Sequence, residues 1–305
     1  MRFVVDASAR ARLWVTGPDG PAFLHRMSTQ HVAGLPAGAA RLNVLTNDKG
    51  RIVDVVHHIV LGDGVLVVGT NRRGDELLGW LDRYFFTEKL TLADADGAAV
   101  VADLATADEL VGGAAGLAPW QACRADALVA VRSFDVADRD GAVVPAAVVV
   151  RLGPGELPVP TWSAGDFRAA AVAAGVPTDE IGDAMTPLDL ALHDAIHWAK
   201  GCYIGQEVIA RLDTYGKQRK ALVGVVGDGS AFAVGDEVVV GDSVVGAVTS
   251  AAPAAWCPAL PSALALVRGV DPAAGGPVHA QLRRAGVVVG PARLVPRRAA
   301  QSPHD

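Results

Sequence analysis

Lys200-Gly201-Cys202-Tyr203-Ile204-Gly205-Gln206-Glu207 is the stretch around which the chain is organised. Two glycines bracket a cysteine and a tyrosine, and glycine is the residue of choice where a backbone turns sharply or is closely approached. Lys200 stands two residues before Cys202, and a neighbouring cation favours thiolate over thiol. Working outward, an apolar segment leads in and a polar run, Arg211 to Lys220, leads out. The octapeptide therefore reads as a thiol on a turn between two structured units.

The chain around it has 305 residues, half of them apolar and a fifth charged, which suits a globular protein of two or three domains. The net charge of −6 argues against a general nucleic-acid binder. Cys123, Cys202 and Cys257 are widely spaced and odd in number, so neither a disulfide framework nor a CxxC metal site is expected. Apolar runs such as Ala146–Val150 are too short to cross a bilayer. The start reaches Asp6 before a signal-peptide core forms, and a cytoplasmic protein is expected.

Alternation and turn chemistry predict strands over Arg12–Thr16, Arg41–Thr46, Arg51–Leu61 and Val65–Thr70, with Asn47-Asp48-Lys49-Gly50 as a hairpin turn. Helical spacing is found in Arg72–Phe86, and helices are also expected at Ala22–Met27, Ala107–Gly112 and Ala164–Ala174. Strands are expected near Lys89–Ala93, Ala98–Leu104, Ala127–Val131 and Val143–Leu152. Thr186–Ala199 reads as the clearest helix, with Thr186 as N-cap, Pro187 at the first turn and Gly201 past the end. After the polar run come short Val/Gly-rich strands at close spacing, a small all-β barrel or sandwich. The division expected is an α+β body over 1–215, a β-barrel over 216–296 and a frayed tail over 297–305.

Cys202 is either a buried structural thiol or a reactive one, and a nucleophile also needs a base to orient on it. His193 and His197 stand at i and i+4, the spacing of a zinc-binding helix, but aspartate replaces the glutamate of HExxH. Asp54, on the strand after Gly50, shares a face with Ile52 if the strand alternates, and so points inward. Asp189 follows Thr186 by three residues: a capping-box acid, or a carboxylate accepting two N–H donors of a planar heterocycle. Arg211, Lys217, Arg219 and Lys220 form a basic cluster that is a solvated linker or a holder of carboxylates.

The spelling KGCYIGQE resembles the signature of the YgfZ-type folate-binding proteins, relatives of the aminomethyltransferase (T-protein) of the glycine cleavage system. Trp14 to Asp19, Phe23-Leu24-His25, Ser28-Thr29-Gln30, Leu45 to Arg51 and Glu207 to Arg211 extend the resemblance over most of the chain. It implies a ring-like body around a tetrahydrofolate pocket, a C-terminal barrel, and a role with client iron–sulfur enzymes in assembling or repairing their clusters. Cys202 would be the key residue, with Lys200 and Tyr203 matching the motif. An acid near the pterin would be Asp189, and Arg211 or Arg219 would face the glutamate tail. The transferases carry paired aspartates where this chain has Asp54-Val55, and they lack the cysteine motif. A folate-dependent aminomethyl- or methyltransferase using Asp54 is the alternative, and a zinc hydrolase on His193 and His197 the third reading.

Overall fold

The structure is a computed structural model, and it describes residues 2–138, 140–216, 220–227, 231–253, 256 and 261–296. Lys217, Arg219, Cys257 and the tail from Arg297 lie outside the described residues.

The first part of the chain forms β1 (Val4–Asp6), β2 (Arg12–Thr16), α1 (Gly20–Met27), β3 (Ala40–Thr46), β4 (Ile52–Leu61), β5 (Gly64–Gly69), α2 (Gly74–Leu81) and β6 (Thr91–Asp94). It continues through β7 (Ala99–Asp103), α3 (Leu104–Val111), β8 (Ala122–Ala125), β9 (Leu128–Arg132), β10 (Val136–Ala137), β11 (Val143–Val144), β12 (Ala146–Arg151) and α4 (Ala164–Ala174). Two five-stranded antiparallel sheets result, ordered β3-β4-β5-β2-β6 and β1-β7-β12-β9-β8. Each has one face on a shared core and the other under helices: α1 and α2 on the first sheet, α3 on the second. β4 lies inside its sheet and is buried on both faces, so apolar residues run through it nearly without alternation.

After α5 (Gln206–Thr214), the chain closes a barrel from β13 (Ala221–Gly227), β14 (Glu237–Val240), β15 (Ser243–Ala251), β16 (Ala263–Val267), β17 (Val278–Arg284) and β18 (Val287–Pro296), with α6 (Pro272–Gly275) between β16 and β17. The strand order is β13-β16-β15-β14-β17-β18, all antiparallel, and closure removes every sheet edge. The expected α+β body followed by a β-barrel is thus the observed fold. The buried Glu180 carboxylate joins body to barrel, accepting the hydroxyls of Thr249 and Ser250 on β15. Phe3, Trp162 and Trp256 continue that joint as an aromatic relay, with ring centroids 4.6 and 5.7 Å apart.

Two local expectations are corrected. Thr186–Ala199 is not a helix: only a 3-10 turn, His193–Ala195, interrupts a winding path. The cap forms as anticipated, with the Thr186 amide donating to Asp189 Oδ2 (2.8 Å) and the Asp189 amide to Thr186 Oγ1 (3.2 Å). Ala191 then takes φ +49°, which ends any helical course. Burial explains the path: Leu190, Leu192 and Ala195 enter the main core, whereas Leu188 and Ile196 pack with Tyr203 and Ile209. Tertiary packing overrides a good start signal. Second, Asp54 does not continue the side of Ile52, because Val53 is an extra residue opposite the Leu45–Thr46 step. Ile52 lies in the main core and Val53 in the cluster under α1 and α2.

Candidate functional site: an anchored thiol loop and a central cavity

Lys200 is buried, and its Nζ donates to the carbonyls of His25 (2.5 Å), Ser28 (2.7 Å) and Gln30 (2.8 Å). These belong to the last turn and exit of α1, where helical carbonyls lack intrahelical donors. An ammonium has three donors and no acceptor, so the three carbonyls use it completely. Burial pushes Lys200 down to about 7, and the carbonyls pull the other way by serving the charged form. The Tyr203 ring lies 5.3 Å from Nζ; burial raises its phenol to about 12.

The rest of the octapeptide seats on the Asn47–Gly50 hairpin. Thr46 Oγ1 donates to the Ile204 carbonyl (2.6 Å), and the Ile204 amide donates to the Arg26 carbonyl (3.2 Å). Gly205 has φ +83°, and a Cβ there would lie 2.5 Å from the Asn47 carbonyl oxygen. Gly205→Ala is accordingly expected to cost about 2 kcal/mol, combining left-handed strain with the overlap. A urea melt of the variant measures it; a loss under 0.5 kcal/mol would mean that this contact yields freely. The two segments singled out by resemblance, residues 45–51 and 200–207, thus interlock.

Ser28-Thr29-Gln30 ties the same region together. Ser28 Oγ donates to the Leu24 carbonyl, Thr29 Oγ1 donates to the Ala195 carbonyl (2.6 Å), and the Gln30 amide donates to Asn43 Oδ1 (2.6 Å). Against this scaffold Cys202 is exposed. The Lys200 ammonium, expected to polarise the thiol, is turned inward to its carbonyls. Trp198, 47% exposed, lies on the same loop.

His193 and His197 do not share a helical face, since no α-helix forms there. His193 is exposed, while the His197 ring packs 5.7 Å from His31, itself 4.8 Å from His25. His25 Nδ1 faces the amides of Val32 and Ala33 as an acceptor, and burial, with Lys200 nearby, pushes it down to about 4. Among the described residues no group of three His, Cys, Asp or Glu side chains has metal-holding geometry.

A cavity of about 200 Å³ opens where the two sheets and α4 meet. Its wall includes Arg10, Thr70, Asn71, Ser133, Phe134 and Phe167. Asp54 stands behind that wall and is fully buried. Its carboxylate accepts the amides of Val55 (2.8 Å), Asn71 (3.1 Å) and Arg72 (3.1 Å) and the Thr70 hydroxyl (3.1 Å). Burial pushes the carboxyl up while the four donors oppose that rise. Asp54 therefore shapes the 70–72 wall, with three of these donors on Oδ1 and the Arg72 amide on Oδ2.

The other expected site residues lie elsewhere. Asp189 spends its carboxylate on the Thr186 amide, with Arg51 at 3.8 Å, and does not line this cavity. Arg211 is on the exposed side of α5, and Arg219 is outside the described residues. Arg10, Asn71, Ser133 and Phe167 were missed, because seven separate stretches contribute to the cavity and none of them forms a motif.

No protein-family model matches the chain. The Arabidopsis thaliana protein named "Putative transferase At1g60990, chloroplastic" is 24% identical over 241 residues, covering 73% of this chain and 55% of that protein. An aminomethyltransferase of Phocaeicola vulgatus is 37% identical over 67 residues, 21% of this chain and 19% of the enzyme. The chain thus spans about half the length of the first relative and a fifth of the second. The crystal structure of glycine cleavage system aminomethyltransferase T from Bartonella henselae superposes with a TM-score of 0.76 at 17% identity, covering 98% of this chain and 88% of that one. The fold is aminomethyltransferase-like. No helix among the described residues is long and apolar enough to cross a membrane.

Proposed function

We propose that this chain is a cytoplasmic tetrahydrofolate-binding accessory protein that supports assembly or repair of iron–sulfur clusters in client enzymes. The body over 1–215 takes the folate, the barrel over 216–296 braces it, and neither nucleic acid nor membrane is a partner. The observation that carries the folate part is the cavity in an aminomethyltransferase-like fold, where the Phe134 and Phe167 rings accompany the polar Thr70, Asn71 and Ser133. Flat aromatic surface with a few polar groups suits a planar, hydrogen-bonding heterocycle. The client role is supported by the resemblance of KGCYIGQE and by the exposure of Cys202 on a loop held at Lys200, Tyr203 and Gly205. A thiol presented outward from a rigid loop suits contact with another protein.

A folate-dependent aminomethyl- or methyltransferase is the second reading, favoured by the plant and bacterial relatives. Against it, a general base must reach the substrate, and Asp54 is fully buried behind the cavity wall, held by the chain's own donors.

Anaerobic calorimetric titration of tetrahydrofolate into wild-type protein and Cys202→Ser tests the separation of pocket from thiol. Saturable binding of equal strength to both is the expected result. Alongside it, only the wild-type chain is expected to restore iron–sulfur enzyme activity in cells deprived of the protein. Absence of binding to either protein would overturn the folate reading.

A further inference from the structure

Arg10 is the charged group of the cavity that the folate reading has not used. Its guanidinium lies over the Phe167 ring, 5.7 Å from the centroid. Among the described residues it has no hydrogen-bond acceptor and no ion-pair partner. The other charges in the wall are committed: Arg168 pairs with Asp179 (3.1 Å), and Asp6 accepts the Ser8 amide (2.9 Å). Asp54 is the buried anion whose charge acts on it, yet the two form no ion pair and the Asp54 carboxylate faces the four donors described above. Burial pushes the Arg10 guanidinium down and the Asp54 charge raises it, so the cation sits in a partly desolvated place with a counter-charge it does not touch. A planar fork of N–H donors held on an aromatic face, without an acceptor, is preorganised for an oxyanion.

We propose that Arg10 pairs with a carboxylate of the cavity's ligand and makes the site selective for carboxylate-bearing compounds. This rests on the folate reading and refines it: the cation that meets the glutamate part is Arg10 and not Arg211 on the exposed face of α5. The ligand class is a flat ring system carrying a carboxylate, the ring lying against the cavity wall and the carboxylate meeting Arg10.

Three titrants separate the parts of such a ligand: tetrahydrofolate, p-aminobenzoyl-glutamate (carboxylates without pterin) and tetrahydrobiopterin (pterin without carboxylate). Each is titrated into wild-type protein, Arg10→Met and Arg10→Lys. Because the guanidinium makes no hydrogen bond among the described residues, Arg10→Met is expected to fold, and a thermal melt checks this. The expected result is at least about a tenfold loss for both carboxylates in Arg10→Met, the scale of one charge-assisted pair. Tetrahydrobiopterin should be unaffected, and Arg10→Lys should fall between. Equal losses for all three titrants, or none, would overturn the assignment of Arg10 and leave the folate reading standing. Arg10-dependent binding of p-aminobenzoyl-glutamate without binding of either pterin would uphold Arg10 and overturn the folate reading.

Discussion

Lys200→Met is expected to cost about 3 kcal/mol of folding stability, which removing one partner from a buried, hydrogen-bonded charge cluster typically costs. Methionine retains the apolar stem but leaves the carbonyls of His25, Ser28 and Gln30 without their shared donor. Unsatisfied buried acceptors cost about 1–3 kcal/mol each, and some relaxation toward water reduces the total. Lys200→Arg is not expected to rescue the loss, because a planar fork cannot converge on three oxygens as a tetrahedral ammonium does. Urea unfolding measures the loss, and hydrogen exchange over residues 198–206 should accelerate even where the protein stays folded. A loss below 1 kcal/mol with unchanged exchange would mean that the clamp is not what holds the loop.

Acidification below pH 6.5 is expected to destabilise the protein steeply. His57 and His58 lie side by side on β4, both buried, and burial pushes each down to about 3. His57 Nε2 meets Ser133 Oγ at 3.3 Å, whereas neither nitrogen of His58 has a partner among the described residues. Unfolded histidine takes up its proton near 6.5 and the folded chain refuses it until about 3, so the unfolded state binds more protons in between. The contribution of the two histidines is therefore complete above 6.5 and falls as pH falls, by about 2.7 kcal/mol per pH unit for the pair once both unfolded rings are charged. His25, pushed down to about 4, acts in the same direction. Asp54, whose carboxyl is raised, acts oppositely toward the acid end. Denaturant melts at pH 7.5, 6.5, 5.5 and 5.0 trace the slope, and His58→Leu should remove about half of it. A flat profile across that window would show that the rings are charged inside the fold.

Where local chemistry and tertiary packing agree, the sequence was legible. Arg12–Thr16 and Ala164–Ala174 match the observed elements, the first marked by alternation and the second by a cap. Two capping boxes make the limit clear. Ser163 and Asp166 start an eleven-residue helix that stops at Gly175 with φ +74°, while Thr186 and Asp189 form the same box and no helix follows. What differs is burial: the second segment divides its leucines between two cores, and a local signal carries no information about that. Helix α5 was hidden for the opposite reason, since Ile209 is its fully buried residue and the rest reads as a polar linker. In the site, the octapeptide was recognisable because its residues are contiguous. Arg10 was not, because a cavity wall drawn from distant segments leaves no spacing to read.

The segment Thr178-Asp179-Glu180-Ile181 has two faces. Thr178, Asp179 and Ile181 look into the cavity, and Glu180 between them reaches the hydroxyls of Thr249 and Ser250 on the barrel. The barrel therefore backs one wall of that cavity. A chain cut before Ala221 would leave Glu180 a carboxylate without those two donors and would strip Leu222, Trp256 and Leu264 from the main core. Such a truncation would loosen the cavity itself, even though none of the described barrel residues lines it.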